Sequence, residues 1–264
     1  MRFKELAANP NLISGIHNYC DRWCERCNFT ARCAVYAAEE ADPDNDPSTR
    51  DINNAAFWQK LSSIFKETQE MISEWAEENG ADLSDEALAP IGELKEKQRE
   101  ETRKHPLARA AEKYAFDVNE WFDKEFPRIG VNSDAVTSDA SAQSEDTIET
   151  EDEVNDYVEV VRWYQFFIAV KMIRGLMSRI DEDDYLADED PRDSDGSAKV
   201  ALMAIDRSIG AWKLICDLRP ENVDSIHALL FQLEKLRSSA EREFPNARDF
   251  IRPGFDEPML DLLH

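Results

Sequence analysis

The chain has 264 residues, 42% of them hydrophobic, and a formal net charge of −25. This apolar content is high enough to build a buried core, so the composition excludes an intrinsically disordered chain. The negative charge disfavours direct binding to nucleic acids and to anionic membranes. Solubility is the simplest role of this charge, and a cationic partner or imitation of nucleic acid is the alternative.

Cysteine is concentrated near the N-terminus. Four of the five cysteines lie within fourteen residues, with the spacing Cys-x3-Cys-x2-Cys-x5-Cys: Cys20, Cys24, Cys27 and Cys33. The preceding residues, MRFKELAANPNLISG, show neither the apolar region nor the cleavage site of a signal peptide, which favours a cytoplasmic protein. In a reducing cytoplasm such a cluster indicates a metal site or a redox group rather than structural disulfides. The fifth cysteine, Cys216, shares an apolar helical stripe and is expected to be a buried core thiol.

The cysteine spacing also predicts a local fold. At about 100° per residue, the first three cysteines share one helix face with His17, whereas Cys33 would point nearly the opposite way. Asn28 is a common helix-stop residue and Thr30 a common N-cap, so a second helix is expected to begin just after Thr30. The interpretation is a cysteine-rich helix-turn-helix over residues 1–45, with Cys33 in the first turn of its second helix.

Four closely spaced thiolates suit either a [4Fe–4S] cluster or a zinc ion. Sulfurs around zinc lie roughly 4 Å apart, whereas Cys20 and Cys27 would lie about 10 Å apart along a continuous helix. Structural zinc sites also typically use two separate Cys-x2-Cys pairs, and this segment contains one. The sequence therefore favours a [4Fe–4S] cluster bound by all four cysteines, with zinc as the alternative. Trp23 and Phe29 flank the site and are expected to shield it from solvent.

Part of the cysteine pattern has a known counterpart. Cys20-x3-Cys24-x2-Cys27 resembles the cluster-binding motif of radical S-adenosylmethionine enzymes, and the resemblance covers eight residues. It implies an α/β barrel and a cluster with one iron left open for the cofactor. The chain shows no alternating strands and offers a fourth cysteine, so we do not adopt that interpretation. Cys24-x2-Cys27 also has the spacing of a dithiol redox switch, but no thioredoxin-like strand precedes it.

The remainder of the chain reads as helical. Apolar residues recur at steps of three and four over residues 51–129 and 153–264, without the alternation typical of strands. Residues 130–152 are rich in Ser, Asp, Ala and Thr and lack an apolar face, which predicts a mobile loop. The predicted fold is an all-α multi-helix bundle with four parts: the cysteine-rich segment 1–45 packed on the bundle, a helical region 51–129, the loop 130–152 and a helical core region 153–264.

Charged residues inside the apolar helices suggest a second feature. We expect Lys171 or Arg174 to pair with Asp206, either as a structural ion pair or in a polar pocket for an anionic ligand. Acidic pairs at helical spacing, such as Glu120 with Asp123, leave room for an all-α Mg²⁺-dependent hydrolase.

These patterns together predict a cytoplasmic metalloprotein whose iron–sulfur cluster serves electron transfer, redox sensing or a structural role. The first alternative is a zinc-stapled helical interaction protein whose acidic surface meets a cationic partner. The second is the carboxylate-metal hydrolase, in which the cysteine site is only structural.

Overall fold

The computed structural model describes residues 6, 9–40, 47–125, 145–185 and 192–257. These residues form seven α-helices and several short 3-10 turns, and they contain no β-strand. The helices are α1 (Ala34–Glu40), α2 (Ala55–Asn79), α3 (Asp85–Lys104), α4 (Pro106–Glu125), α5 (Glu145–Tyr185), α6 (Asp193–Leu218) and α7 (Val223–Glu243). The predicted all-α class is confirmed. In these ranges no helix is apolar over enough of its length to cross a bilayer.

The chain divides into two compact units, residues 1–98 with 253–264, and residues 99–252. The first unit contains the cysteine-rich segment, α1, α2 and most of α3. The second unit contains α4 to α7, and in it α4 packs on α5 and α7, while α6 packs on α5 and α7. These four helices therefore close into a bundle with its own core.

Aromatic side chains fill the centre of the second unit. The Trp212 indole N–H donates a hydrogen bond of 3.0 Å to the hydroxyl of Tyr114, and both side chains are fully buried. Trp121 meets the Trp212 ring edge-on at 4.8 Å between centroids. Burial raises the pKa of Tyr114, so this phenol stays neutral and satisfies the indole donor.

Helices α5 and α6 form the most extensive contact of the second unit. Gly175 of α5 lies so close to α6 that an added Cβ would sit 3.2 Å from the carbonyl oxygen of Ser194. On α6 the facing surface is made of small buried residues, including Ala198 and Ala201. The stripe of small side chains therefore serves close helix packing.

Helix ends follow local capping chemistry. The Asn54 side chain accepts a hydrogen bond of 3.0 Å from the N–H of Ala56 at the start of α2. That helix ends at Gly80, whose φ of 64° suits glycine. At the start of α4, Nδ1 of His105 accepts from the N–H of Leu107 at 3.2 Å.

Two expectations along the chain need revision. Of the predicted loop 130–152, residues 130–144 lie outside the described residues, and residues 145–152 belong to α5 instead. Cys216 is half-buried rather than buried.

The expected pairing of Asp206 with Lys171 or Arg174 is wrong. Arg174 donates to Asp193 at 3.1 Å, at the start of α6. Asp206 instead accepts from Arg248 at 2.6 Å and from Arg237 at 3.4 Å. The physical reason is reach: the Asp206 carboxylate lies beside Arg237 of α7 and beside Arg248, which follows α7 in the 3-10 turn Ala247–Asp249. These are partly exposed ion pairs, so each contributes little to stability.

Candidate metal centre

The cysteine-rich segment folds as a succession of tight turns. Three 3-10 turns, Ile16–Asn18, Cys24–Arg26 and Thr30–Arg32, precede α1. The expected continuous helix through the first three cysteines is therefore wrong, and so is the helix-turn-helix. We call residues 13–33 the cysteine loop.

Local hydrogen bonds explain why this segment is not a helix. Asp21 accepts the N–H of Trp23 through Oδ1 at 3.2 Å, and the N–H of Phe29 donates to Sγ of Cys27 at 3.4 Å. These donors are used by side chains rather than by carbonyls four residues earlier. Arg22, which lies between Asp21 and Trp23, has a φ of 60°, a left-handed conformation that ends any right-handed helix.

The cysteine loop is closed at its base. The N–H of Ile13 donates to the carbonyl of Arg32 at 2.9 Å, joining the two ends of the loop. The Arg32 guanidinium adds a bond of 3.4 Å from Nε to the carbonyl of Asn11. Because the ends are tied together, the turns between them curl around a common centre.

All four cysteines line one small pocket at that centre. The lining side chains include Cys20, Cys24, Cys27, Cys33, Ile16, His17, Trp23, Phe29, Tyr36 and Phe255. The cavity has a volume of about 20 Å³, slightly more than the roughly 10–15 Å³ that a single water molecule requires. The loop thus gathers the four thiols that the sequence singles out, together with the one nearby histidine.

Apolar side chains form the wall of the pocket. Trp23 and Ile16 are buried, and Phe29 is half-buried, which agrees with the expected shielding role of Trp23 and Phe29. The Phe29 ring meets Phe255 edge-on at 5.0 Å between centroids. Sequence reasoning missed Phe255, because no local pattern links this residue near the C-terminus to the cysteine loop.

Cys33 occupies the N-cap position of α1. Its carbonyl accepts the N–H of Ala37 at 2.9 Å, which is the first hydrogen bond of that helix, and its own backbone is extended. The helix therefore begins at Ala34, three residues later than the expected start at Ala31, and Cys33 precedes its first turn.

Electrostatic coupling ties Cys24 to the other thiols. Burial raises the pKa of the Cys24 thiol, and negative charge on Glu39 and then on Cys20, Cys33 and Cys27 raises it further. Negative charge on the neighbouring sulfurs therefore disfavours a thiolate at Cys24. A cation at their centre would reverse that repulsion.

The thiols nevertheless surround the pocket without converging on one point. In the described ranges, no three His, Cys, Asp or Glu side chains lie close enough together to hold a single metal ion. No family model, curated protein or solved structure matches this chain.

The carboxylate pair considered for a hydrolase has partners on its own helix. Glu120 accepts from Lys124 at 2.5 Å, and Asp123 accepts from the side-chain amide of Asn119 at 3.5 Å. Both carboxylates thus lie on the exposed surface of α4, bonded along the helix.

Proposed function

We propose that the cysteine loop binds one metal centre through Cys20, Cys24, Cys27 and Cys33, and that this centre is a [4Fe–4S] cluster. The observation that carries the proposal is that all four thiols line the same pocket. Four thiolates are the ligand set of such a cluster.

The surroundings of the thiols suit a bound anionic centre. The backbone N–H of Phe29 donates to Sγ of Cys27, and hydrogen bonds of this kind stabilise charge on a coordinating sulfur. Trp23 and Phe29 reduce contact with water, which adjusts the potential of a cluster and protects it from hydrolysis. The Arg26 guanidinium, 4.0 Å from the Trp23 ring centroid, supplies positive charge that opposes the negative charge of Glu39 near Cys24.

Coordination chemistry favours a cluster over a single ion. Zinc holds its four sulfurs about 4 Å apart, and in the described ranges no three candidate ligands are grouped so as to hold a single ion. A four-iron cluster binds each thiolate through a different iron, so it accommodates a wider ring of sulfurs. Zinc remains the alternative, favoured by the small volume of the cavity.

The proposed role is electron transfer or redox sensing, or structural support of the cysteine loop. The net charge of −25 suits a cationic protein partner, because complementary charge speeds association. All five cysteines are free thiols, which fits a reducing compartment such as the cytoplasm.

The test is purification of the full chain under anaerobic conditions, followed by metal and sulfide analysis. The expected result is a brown protein with roughly four irons and four sulfides per chain. A colourless protein with one zinc per chain would overturn the cluster and support the zinc alternative. A protein with neither, which also takes up neither on reconstitution, would overturn the metal centre. A variant with all four cysteines changed to serine is the control for adventitious metal.

A further inference from the structure

Helix α2 carries a long apolar stripe that has no role in the metal centre. Its residues are spaced at alternating steps of three and four, the heptad pattern of helices that pack side by side. The α2 stripe consists of five apolar residues and one threonine, whose hydroxyl is bonded to its own helix: Trp58, Leu61, Phe65, Thr68, Ile72 and Trp75. A second column, Phe57, Ile64 and Met71, lies beside it and widens the apolar face.

Most of this face is open to solvent. Phe65 is 65% exposed, Trp75 57% and Trp58 52%, and Ala76 is the one buried residue of α2. Among the described elements, the 3-10 turn Pro47–Arg50 packs most extensively on this helix. Covering large apolar side chains is favourable, so a contiguous exposed stripe marks a surface that binds something.

The charges of α2 are divided between its two halves. Residues 55–66 contain Lys60 and Lys66 and no acidic residue, whereas residues 67–79 contain five glutamates and no basic residue. Carboxylates are unfavourable at the C-terminal end of a helix, where the helix dipole is negative. Within the helix, Lys66 reaches Glu70 at 4.0 Å, and this exposed pair offsets little of the imbalance.

We propose that the α2 stripe is a homodimer interface in which two copies of α2 pack antiparallel. An antiparallel pair places the lysine half and positive end of one helix beside the glutamate half of the other. A parallel pair would place the five glutamates of one helix beside the five glutamates of the other, and these like charges would repel one another. The charge pattern of α2 is thus complementary to itself in reverse, which points to a second copy as the occupant.

The heptad positions fit the same arrangement. With a two-fold axis between positions 66 and 67, Trp58 faces Trp75 of the second copy and Leu61 faces Ile72 of the second copy. Phe65 likewise faces Thr68 of the second copy. Each pair joins the two apolar positions of the heptad, and the interface is the same patch on both copies, as two-fold symmetry requires.

Sedimentation velocity of the full chain tests the interface. The wild type should dimerise with a dissociation constant of about 10 µM or tighter. Phe65→Glu should yield a monomer, whereas Phe116→Glu should leave the dimer intact. Phe116 is the matched control because it is also 65% exposed and lies on α4. Circular dichroism checks that both variants fold. A monomeric wild type overturns the proposal, and so does a dimer that survives Phe65→Glu.

Charge exchange tests the antiparallel arrangement. Replacing Lys60 and Lys66 by glutamate should weaken the dimer at least about tenfold at low salt, with a smaller effect at high salt. Adding Glu74→Lys and Glu77→Lys to that variant should restore the affinity. Antiparallel pairing is overturned if the lysine-to-glutamate changes leave the dimer affinity unaltered. It is also overturned if the added glutamate-to-lysine changes do not restore that affinity.

Discussion

The N–H of Phe29 lies 3.4 Å from Sγ of Cys27 and donates a hydrogen bond to it. This contact replaces a helical hydrogen bond and so links the fold of the cysteine loop to its chemistry. A backbone donor that would stabilise a helix instead stabilises charge on a sulfur that lines the central pocket.

Cys33→Ser should lower the metal content of anaerobically purified protein. Cys33 lines the pocket with the other three thiols, and a serine hydroxyl is a poor ligand for iron or zinc. Cys216→Ser is the matched control, because Cys216 is also half-buried but lies in α6. Metal analysis of both variants provides the comparison. Full occupancy in Cys33→Ser would contradict a four-cysteine site and would make His17 the candidate fourth ligand.

The left-handed backbone of Arg22 should control the geometry between Cys20 and Cys24. Its φ of 60° costs a non-glycine residue roughly 1–2 kcal/mol. Arg22→Gly should therefore retain metal and stabilise the cysteine loop, whereas Arg22→Val should lose metal, because a β-branched residue disfavours this conformation most. Both variants lack the guanidinium, so charge is matched. Equal metal content in the two would show that the backbone at position 22 is unimportant.

Gly254 should be required for closing the pocket wall. Its φ is +75°, and an added Cβ would lie 2.8 Å from Ile13 and 3.0 Å from Ile16. Gly254→Ala should thus displace the segment that carries Phe255 and reduce metal retention against a chelator. Gly80→Ala is the control, since its φ is +64° but no atom lies within 4 Å of the added Cβ. Chelator-release rates that rise by the same factor in both variants would assign the effect to backbone strain alone.

Gly175 and Gly210 should respond oppositely to the same substitution. Gly175→Leu places a side chain against the Ser194 carbonyl, and overpacking of this kind lowers the free energy of unfolding by about 1–3 kcal/mol or more. Gly210→Leu, on open α6 surface, should raise it by roughly 0.5–1 kcal/mol, because leucine favours helix more than glycine does. Urea denaturation measures both. Destabilisation of similar size at the two positions would argue against the close α5–α6 contact.

The sequence was sufficient for the helical class and for the gathering of the four thiols. Helical periodicity is a local property of the sequence, and helices α2 to α7 follow it. The local structure of the cysteine loop could not be predicted in the same way. Spacings of three and four place residues on one helix face, but successive tight turns can bring them around one centre as well. The local side-chain hydrogen bonds of Asp21 and Cys27 decide between these outcomes, and the spacing of the cysteines does not reveal them.

Contacts between residues far apart in the chain could not be predicted from the sequence, for a different reason. Phe255 reaches the pocket from the other end of the chain, and Asp206 selects Arg237 and Arg248 rather than the arginine of α5. Both depend on which helix faces lie opposite each other after packing. A periodic pattern identifies the buried face of a helix but not its neighbour.

Removing the metal should loosen the cysteine loop without unfolding the second unit. The cysteine loop has short turns, one backbone bond joining its ends and few fully buried side chains, so bound metal would supply much of its order. Helices α4 to α7 enclose a core of their own around Trp212.

Hydrogen exchange with and without chelator should show protection lost over about residues 10–40 and retained in α4 to α7. The variant with four serines should show no response to chelator. Protection lost evenly through α4 to α7 would mean that the metal centre holds the whole fold together, and no change anywhere would mean that it does not organise the loop.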